Sequence, residues 1–198
     1  KQCLAQDRGI LSLPNIIVQN IRIFSAQKQC RAWHVTSKRG NLHGNSPHAM
    51  LPMPPDEMPL PDAQTRRVHE SFAAQGLMGT LGATLGPLAP GRCTIFAPIR
   101  AATSQQQGLA HAGLTFAMGD SSGGYAALTT LSDGVEVVTA EMKIHLLAPA
   151  TGERLVAEGR VIKPGIRLII TQSDVFAETE TARRHVATLL GTIVPVPA

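Results

Sequence analysis

The 198-residue sequence predicts an α+β domain in which one long helix packs on an antiparallel sheet. Three observations predict it. The segment from about Ala112 to Leu131 carries Leu114, Met118, Ser121, Tyr125 and Leu128 along one helical stripe. After Gly134 the apolar spacing drops from helical to a period of two. Turn residues such as Lys163-Pro164-Gly165 then divide the remaining chain into runs joined by hairpin-like links.

Regular text begins at Asp62. In DAQTRRVHESFAAQGLMGTLG, Val68, Phe72, Leu77 and Leu81 fall at near-helical spacing, with Asp62 as the expected N-cap and Gly82 as the stop. RCTIFAPI reads as a strand. In the long helix, Gly119, Gly123 and Gly124 are each costly. Small residues there would let a sheet approach the helix closely. In VEVVTAEMKIHLL, strict alternation turns Val138, Ala140, Met142, Ile144 and Leu146 toward the core. It turns Val137, Thr139, Glu141, Lys143 and His145 away. ERLVAEGRVIKPG, IRLIITQSDVFAE and ARRHVATLLGTIVPV complete the strands, with no internal repeat.

Composition separates this body from what precedes it. The formal net charge is +4, but residues 1–49 hold seven Lys/Arg against the single acid Asp7. Residues 50–198 hold eleven basic and thirteen acidic residues, so the body is mildly acidic and nucleic acid is not an expected partner. Residues 1–60 read as a leader with little regular order, ending in five prolines between Pro52 and Pro61. Residues 61–198 read as the domain. An upstream extension is the blander reading of the leader; its basic, acid-poor text also resembles a transit peptide. Cys3, Cys30 and Cys93 form no CxxC pair and fit a reducing, cytoplasmic setting. His34, His43 and His48 have no regular ligand spacing, so no metal is expected. No apolar run approaches the 18 residues of a membrane span.

Chemistry concentrates in TSQQQGLAHAGLTFAMGDSSGGYAAL, Thr103 to Leu128. Asp120 is the only carboxylate between Glu70 and Asp133, and its helical neighbours Phe116, Gly123 and Ala127 are apolar or small. Such surroundings would keep water from it and sharpen it as a base. Taken alone, a lone Asp on an apolar helix could equally cap a loop or pair with a buried Arg. Ala112 and Gly113 open the helix, where backbone N–H groups lack partners and the dipole is positive, an arrangement suited to an oxyanion.

The combination of Gly108, His111, Gly113 and Asp120 with the downstream VTAEMKIHLLAPATGERLVAEGRVIKPG resembles the hotdog-fold acyl-CoA thioesterases of the phenylacetic-acid-degradation type, within the 4-hydroxybenzoyl-CoA thioesterase superfamily. The likeness covers about residues 65–195. It implies a hotdog fold, a five- or six-stranded antiparallel sheet wrapped around the long helix, in homodimers that often pair into homotetramers. It implies hydrolysis of an acyl-CoA to acid and CoA, without a bound cofactor. Asp120 would serve as general base or nucleophile and Thr139 would lie beside it. Gln105 would polarise the thioester or hold water, and His111 would fix the helix start. Two positions depart from the family pattern, where Asn stands at Gln105 and Gly at Ala112. Lys163 and Arg167, flanking a turn, could meet the phosphates of CoA.

Spacing adds a constraint. Asp120 lies nine residues after His111, roughly 13–14 Å along a helix and half a turn around it. Both can serve one thioester only if His111 and Ala112 come from one subunit and Asp120 from the other. Phe72, Leu77, Phe116 and Met118 are candidate pocket residues. A non-catalytic acyl-CoA binding or sensing domain is the alternative class, and a retained Asp120 argues against it. The Asp-x-x-x-x-His pattern of hotdog dehydratases is not found in the right place.

Overall fold

The computed structural model describes residues 59–198, so the expected leader lies, apart from Pro59 and Leu60, outside the described residues. Helices α1 (Asp62–Ala74) and α2 (Gly76–Leu81) replace the single predicted helix. The chain breaks at Gln75, which is extended at φ −76° and ψ 102°, just before the poor helix former Gly76. The break shifts the apolar phase, so that Met78 is buried and Leu77 is 57% exposed. Pro61 takes the N-cap position and Asp62 begins the first turn, where a carboxylate suits the helix dipole. Gly82 ends α2 in the left-handed conformation at φ 65°, as its position predicts.

The long helix α3 spans Ala112–Leu128, three residues short of the expected end. Its last carbonyls have no partners within the helix. Thr129 and Thr130 hydroxyls donate to Ala126 O and Ala127 O at 2.7 Å each. From α1, the Gln64 side-chain amide donates to Leu128 O (2.8 Å) and Leu131 O (3.1 Å), and Arg67 donates to Ser132 O (2.9 Å). Phe72 of α1 tilts against the Tyr125 ring at 5.6 Å between centroids. Helix α1 is thus fastened over the C-terminal half of α3.

Strands β1 (Thr84–Ala89), β2 (Arg92–Pro98), β3 (Val135–Leu146), β4 (Arg154–Lys163), β5 (Ile169–Glu178) and β6 (Arg183–Pro197) form one antiparallel sheet in the order β1-β2-β4-β5-β6-β3. This is the predicted α+β class, with α3 packed against β2 through β6. Strand β1 had no clear sequence signal, because Gly86 and Pro87 interrupt its short apolar run. The hairpin expectation holds for β4-β5-β6 and fails for β3, which pairs with β6 at the far edge. Wrapping the sheet around α3 requires this, since the helix carries the chain from β2 on one side to β3 on the other.

Strand β3 also departs from strict alternation. Thr139 pairs with Ile193 and Glu141 with Thr192, leaving Ala140 as an extra residue in a bulge. One extra residue swaps the faces of everything beyond it. Met142 and Ile144 pack inward as predicted, but upstream it is Val137 that packs on the core, and Val138 is 51% exposed. The predicted inward positions Val138 and Ala140 are therefore corrected, as is Leu146, 57% exposed at the end of the strand.

The core lies between α3 and the concave face of the sheet. Leu114, Met118, Tyr125 and Leu128 meet Ile95, Ala97, Leu155, Ala157, Val175, Ala187 and Leu189. Phe72 and Met118 belong to this core and not to an open pocket. Close approach explains two of the three costly glycines. A Cβ on Gly119 would come within 2.5 Å of Leu189 Cδ1, and one on Gly123 within 3.0 Å of Thr171 Oγ1. On the strand side, a Cβ on Gly159 would sit 2.2 Å from the Ser122 carbonyl oxygen. Gly124 has no such neighbour.

Backbone cannot yield as a side-chain tip does. Gly159→Ala should therefore destabilise the domain by about 1–3 kcal/mol, read as a lower midpoint in chemical denaturation. An unchanged midpoint would mean that α3 sits less tightly on β4 than described.

Candidate active site

The predicted residues gather in two regions, the N-terminus of α3, where His111 and Gly113 line a different pocket from Gln105 and Ala112, and the flank of α3 around Asp120. The first is built at the N-terminus of α3. Residues 104–110 fold back on themselves: Gln105 N–H donates to Leu109 O (2.8 Å), Gly108 N–H donates to Gln105 O (2.9 Å), and Gly108 takes φ 80°. That left-handed conformation accounts for glycine at 108. His111 N–H donates to Thr103 O (2.9 Å), which sets His111 in extended conformation as the N-cap.

His111 Nδ1 accepts from the Gly113 N–H at 2.9 Å, so His111 fixes the helix start as expected. A Cβ on Gly113 would lie 2.9 Å from that same nitrogen, so glycine makes room for the cap. The expectation that Gly113 offers a free donor is corrected, because its N–H is already taken. Leu114 and Thr115 N–H groups donate to His111 O, which leaves the Ala112 N–H as the remaining donor of the first turn. Ala112 and Gln105 line one pocket of about 210 Å³ with Leu109, Thr115, Leu146 and Ala148. The Gln105 amide is turned onto its own loop, accepting from Gln107 N–H, and it reaches a substrate only by leaving that bond.

The second region holds Asp120, half-buried on α3. The Thr139 hydroxyl donates to Asp120 Oδ1 at 2.7 Å. Alternation from the core-facing end of β3 puts Thr139 on the far face, and the bulge at Ala140 turns it back toward the helix. A pocket of about 100 Å³ opens beside the pair, lined by Ser71, Gln75, Ser121, Gly124, Tyr125 and Glu136 among others. The carboxylate is therefore surrounded by hydrogen-bonding groups and not kept dry by apolar ones. Tyr125 Oη lies 3.4 Å from Ser71 Oγ. Burial raises the Tyr125 phenol above its ordinary value, outweighing the Ser71 bond, so it stays a protonated donor. Glu136 is anchored near Arg67 at 3.8 Å.

Ser71, Gln75 and Glu136 were not singled out by sequence. Their signal is weak, since polar residues on an amphipathic helix and at the start of a strand look like solvated surface. Lys163 and Arg167 are exposed at either end of the β4–β5 loop. That loop forms one wall of a further, mainly apolar pocket of about 720 Å³ with Leu131, Val135, Ile169 and Pro195. Within one protomer Ala112 and Asp120 line different pockets, as their spacing demands.

A hydroxyl-supported carboxylate on the flank of α3 and a backbone donor at its start, in separate pockets of the protomer, are groups that can serve acyl transfer. The comparisons agree in class. The family model described as the Thioesterase superfamily matches residues 107–183. A thioesterase family protein from Silicibacter pomeroyi is 36% identical, with a TM-score of 0.67 over 68% of this chain and 99% of that one. The E. coli PaaI protein, from the phenylacetic acid degradation operon, shares the fold at 17% identity and a TM-score of 0.63, covering 70% of this chain and 97% of its own. A Bacillus halodurans protein determined with CoA shares it at 23% identity and a TM-score of 0.55, over 68% and 84%. A Saccharolobus solfataricus protein provisionally named an esterase is 32% identical over 87 residues, 44% of this chain and 61% of that protein. The chain thus spans less than two thirds of that curated relative. It belongs to the thioesterase superfamily, on the strength of the Silicibacter pomeroyi match along nearly the whole of that relative.

The cap makes a direct prediction. His111→Ala should cost about 1 kcal/mol of stability and His111→Asn should recover most of it, measured by thermal or chemical unfolding. Equal stability of all three proteins would remove His111 from the helix start.

Proposed function

We propose that this chain is an acyl-CoA thioesterase of the phenylacetic-acid-degradation type, with Asp120 as general base. The observation that carries the reading is the 2.7 Å hydrogen bond from Thr139 to Asp120 Oδ1, which orients the carboxylate at the mouth of its pocket. Asp120 removes a proton from water as the water oxygen bonds to the thioester carbonyl carbon. The developing oxyanion takes the Ala112 N–H at the positive end of α3. Collapse breaks the carbon–sulfur bond, and the CoA thiolate leaves to be protonated. Direct attack by Asp120 through an anhydride uses the same residues and adds one hydrolytic step. Gln105 holds the thioester or the water once its amide leaves Gln107.

In this proposal the active site is shared. Asp120 and Thr139 come from one subunit, Ala112, Gln105 and the positioning His111 from its homodimer partner. Among the described residues the outer edge of β3 is unpaired, and with exposed Val138, Leu146 and Leu147 around it this supports pairing there; dimers then join as a tetramer. Lys163 and Arg167 meet the CoA phosphates, with the nucleotide against the 720 Å³ pocket. The CoA held by the Bacillus halodurans relative supports that substrate. Among the described residues no helix is long and apolar enough to cross a membrane. We assign the enzyme to the cytoplasm.

Asp120→Asn should lower turnover of acyl-CoA at least ~100-fold with the oligomer unchanged, followed by thiol release and light scattering. Retained turnover would overturn the assignment. Sharing of the site has its own test. Ala112→Pro deletes only the N–H of the first helical position, where proline is tolerated. Each single variant should be inactive, yet mixed dimers of Asp120→Asn and Ala112→Pro chains should regain activity through one intact site. Mixed dimers that stay inactive would place each site within one protomer.

A further inference from the structure

Of the four glycines within α3, Gly113 makes room for the His111 cap and Gly119 and Gly123 for the sheet, and only Gly124 lacks such a neighbour. A Cβ there would meet nothing within 4 Å, and its φ is not among the positive ones. Alanine could occupy the position without strain and would favour the helix. The empty space is not open solvent. Gly124 lines the pocket beside Asp120, lies one turn beyond it on the same face, and looks across to Ser71 and Gln75 of α1 and Thr139 of β3.

Resting on the reading of Asp120 as the catalytic carboxylate, we propose that Gly124 is a specificity-determining residue. Its missing side chain is the space that acyl carbons beyond the one bonded to the carbonyl occupy. A side chain at i+4 leans back over the turn that carries the base, so its absence leaves room beside Asp120 for the acyl group. The surrounding pocket is small, about 100 Å³, and is walled by Tyr125, Leu128 and the α1 residues fastened over it. A methyl added at Gly124 would project into that volume. The site therefore admits an acyl group with bulk near its carbonyl, and Gly124 sets that limit at a cost to helix stability.

The test uses the full chain carrying Asp120→Asn, so that ligands bind without turnover. Affinities for acetyl-, butyryl-, hexanoyl- and benzoyl-CoA are measured by calorimetry with Gly124, Gly124→Ala and Gly124→Val. Acetyl-CoA should hold within about twofold. Hexanoyl- and benzoyl-CoA should weaken by about tenfold or more, the scale on which one methylene is discriminated in a pocket. Gly124→Ala should at the same time raise the thermal midpoint by about 2–4 °C. Parallel changes across the panel, an unchanged panel, no binding of hexanoyl- or benzoyl-CoA with Gly124 intact, or a change of oligomer mass without altered discrimination would each overturn the proposal. Turnover retained by Asp120→Asn would instead overturn the assignment of the base.

Discussion

How near α3 can lie to the sheet governs the rest of this domain. Gly119 and Gly123 on the helix and Gly159 on β4 remove the side chains that would hold the two layers apart, and the Ser122 carbonyl rests almost on the β4 backbone. The buried Ser122 hydroxyl lies within hydrogen-bond distance of Gly119 O (3.0 Å) and Ser173 Oγ (3.1 Å), while Thr171 Oγ1 beside Gly123 is buried in the contact without a hydrogen-bond partner among the described residues. At this separation a six-stranded sheet can curl around one helix. A carboxylate on the flank of the helix then reaches a hydroxyl on the edge strand.

Strand β3 completes that geometry through a local irregularity. A regular strand carrying Met142 and Ile144 inward would send Thr139 to the outer face. The extra residue at Ala140 lets both demands be met, core packing at one end of the strand and a bond to Asp120 at the other. The bulge also sits on an edge strand, where a disturbed ladder affects only one neighbour. Helix α1 contributes from the opposite side. Its polar residues do double service, capping the end of α3 through Gln64 and Arg67 and walling the Asp120 pocket through Ser71 and Gln75.

Much of this was legible in the chain itself. The switch of period after Gly134, the stripe through Leu114 and Leu128, and the stop at Gly82 are local signals, and each marks a real element. The nine-residue interval between His111 and Asp120 already keeps the helix start and the carboxylate apart, because helix rise is fixed. Where structure and expectation differ locally, a backbone or rotamer choice decides. Leu77 and Met78 exchange roles because the chain breaks at Gln75. Gly113 loses its free N–H because the His111 side chain, two residues earlier, folds onto it.

Local signals in the chain suffice for the fold class, for α3 with the strands before and after it, and for the lone carboxylate near a helix start, since periodicity and helix rise are local properties. Strand β1 and the break between α1 and α2 left no such signal. Tertiary packing alone puts β3 beside β6, turns Thr139 toward Asp120, and leaves Gly124 bordering a pocket and not a packed contact. Strand order, bulge position and pocket walls depend on which residues distant in sequence occupy the same space. Two glycines adjacent in the chain, Gly123 and Gly124, look alike until the sheet is seen to touch one and leave the other open.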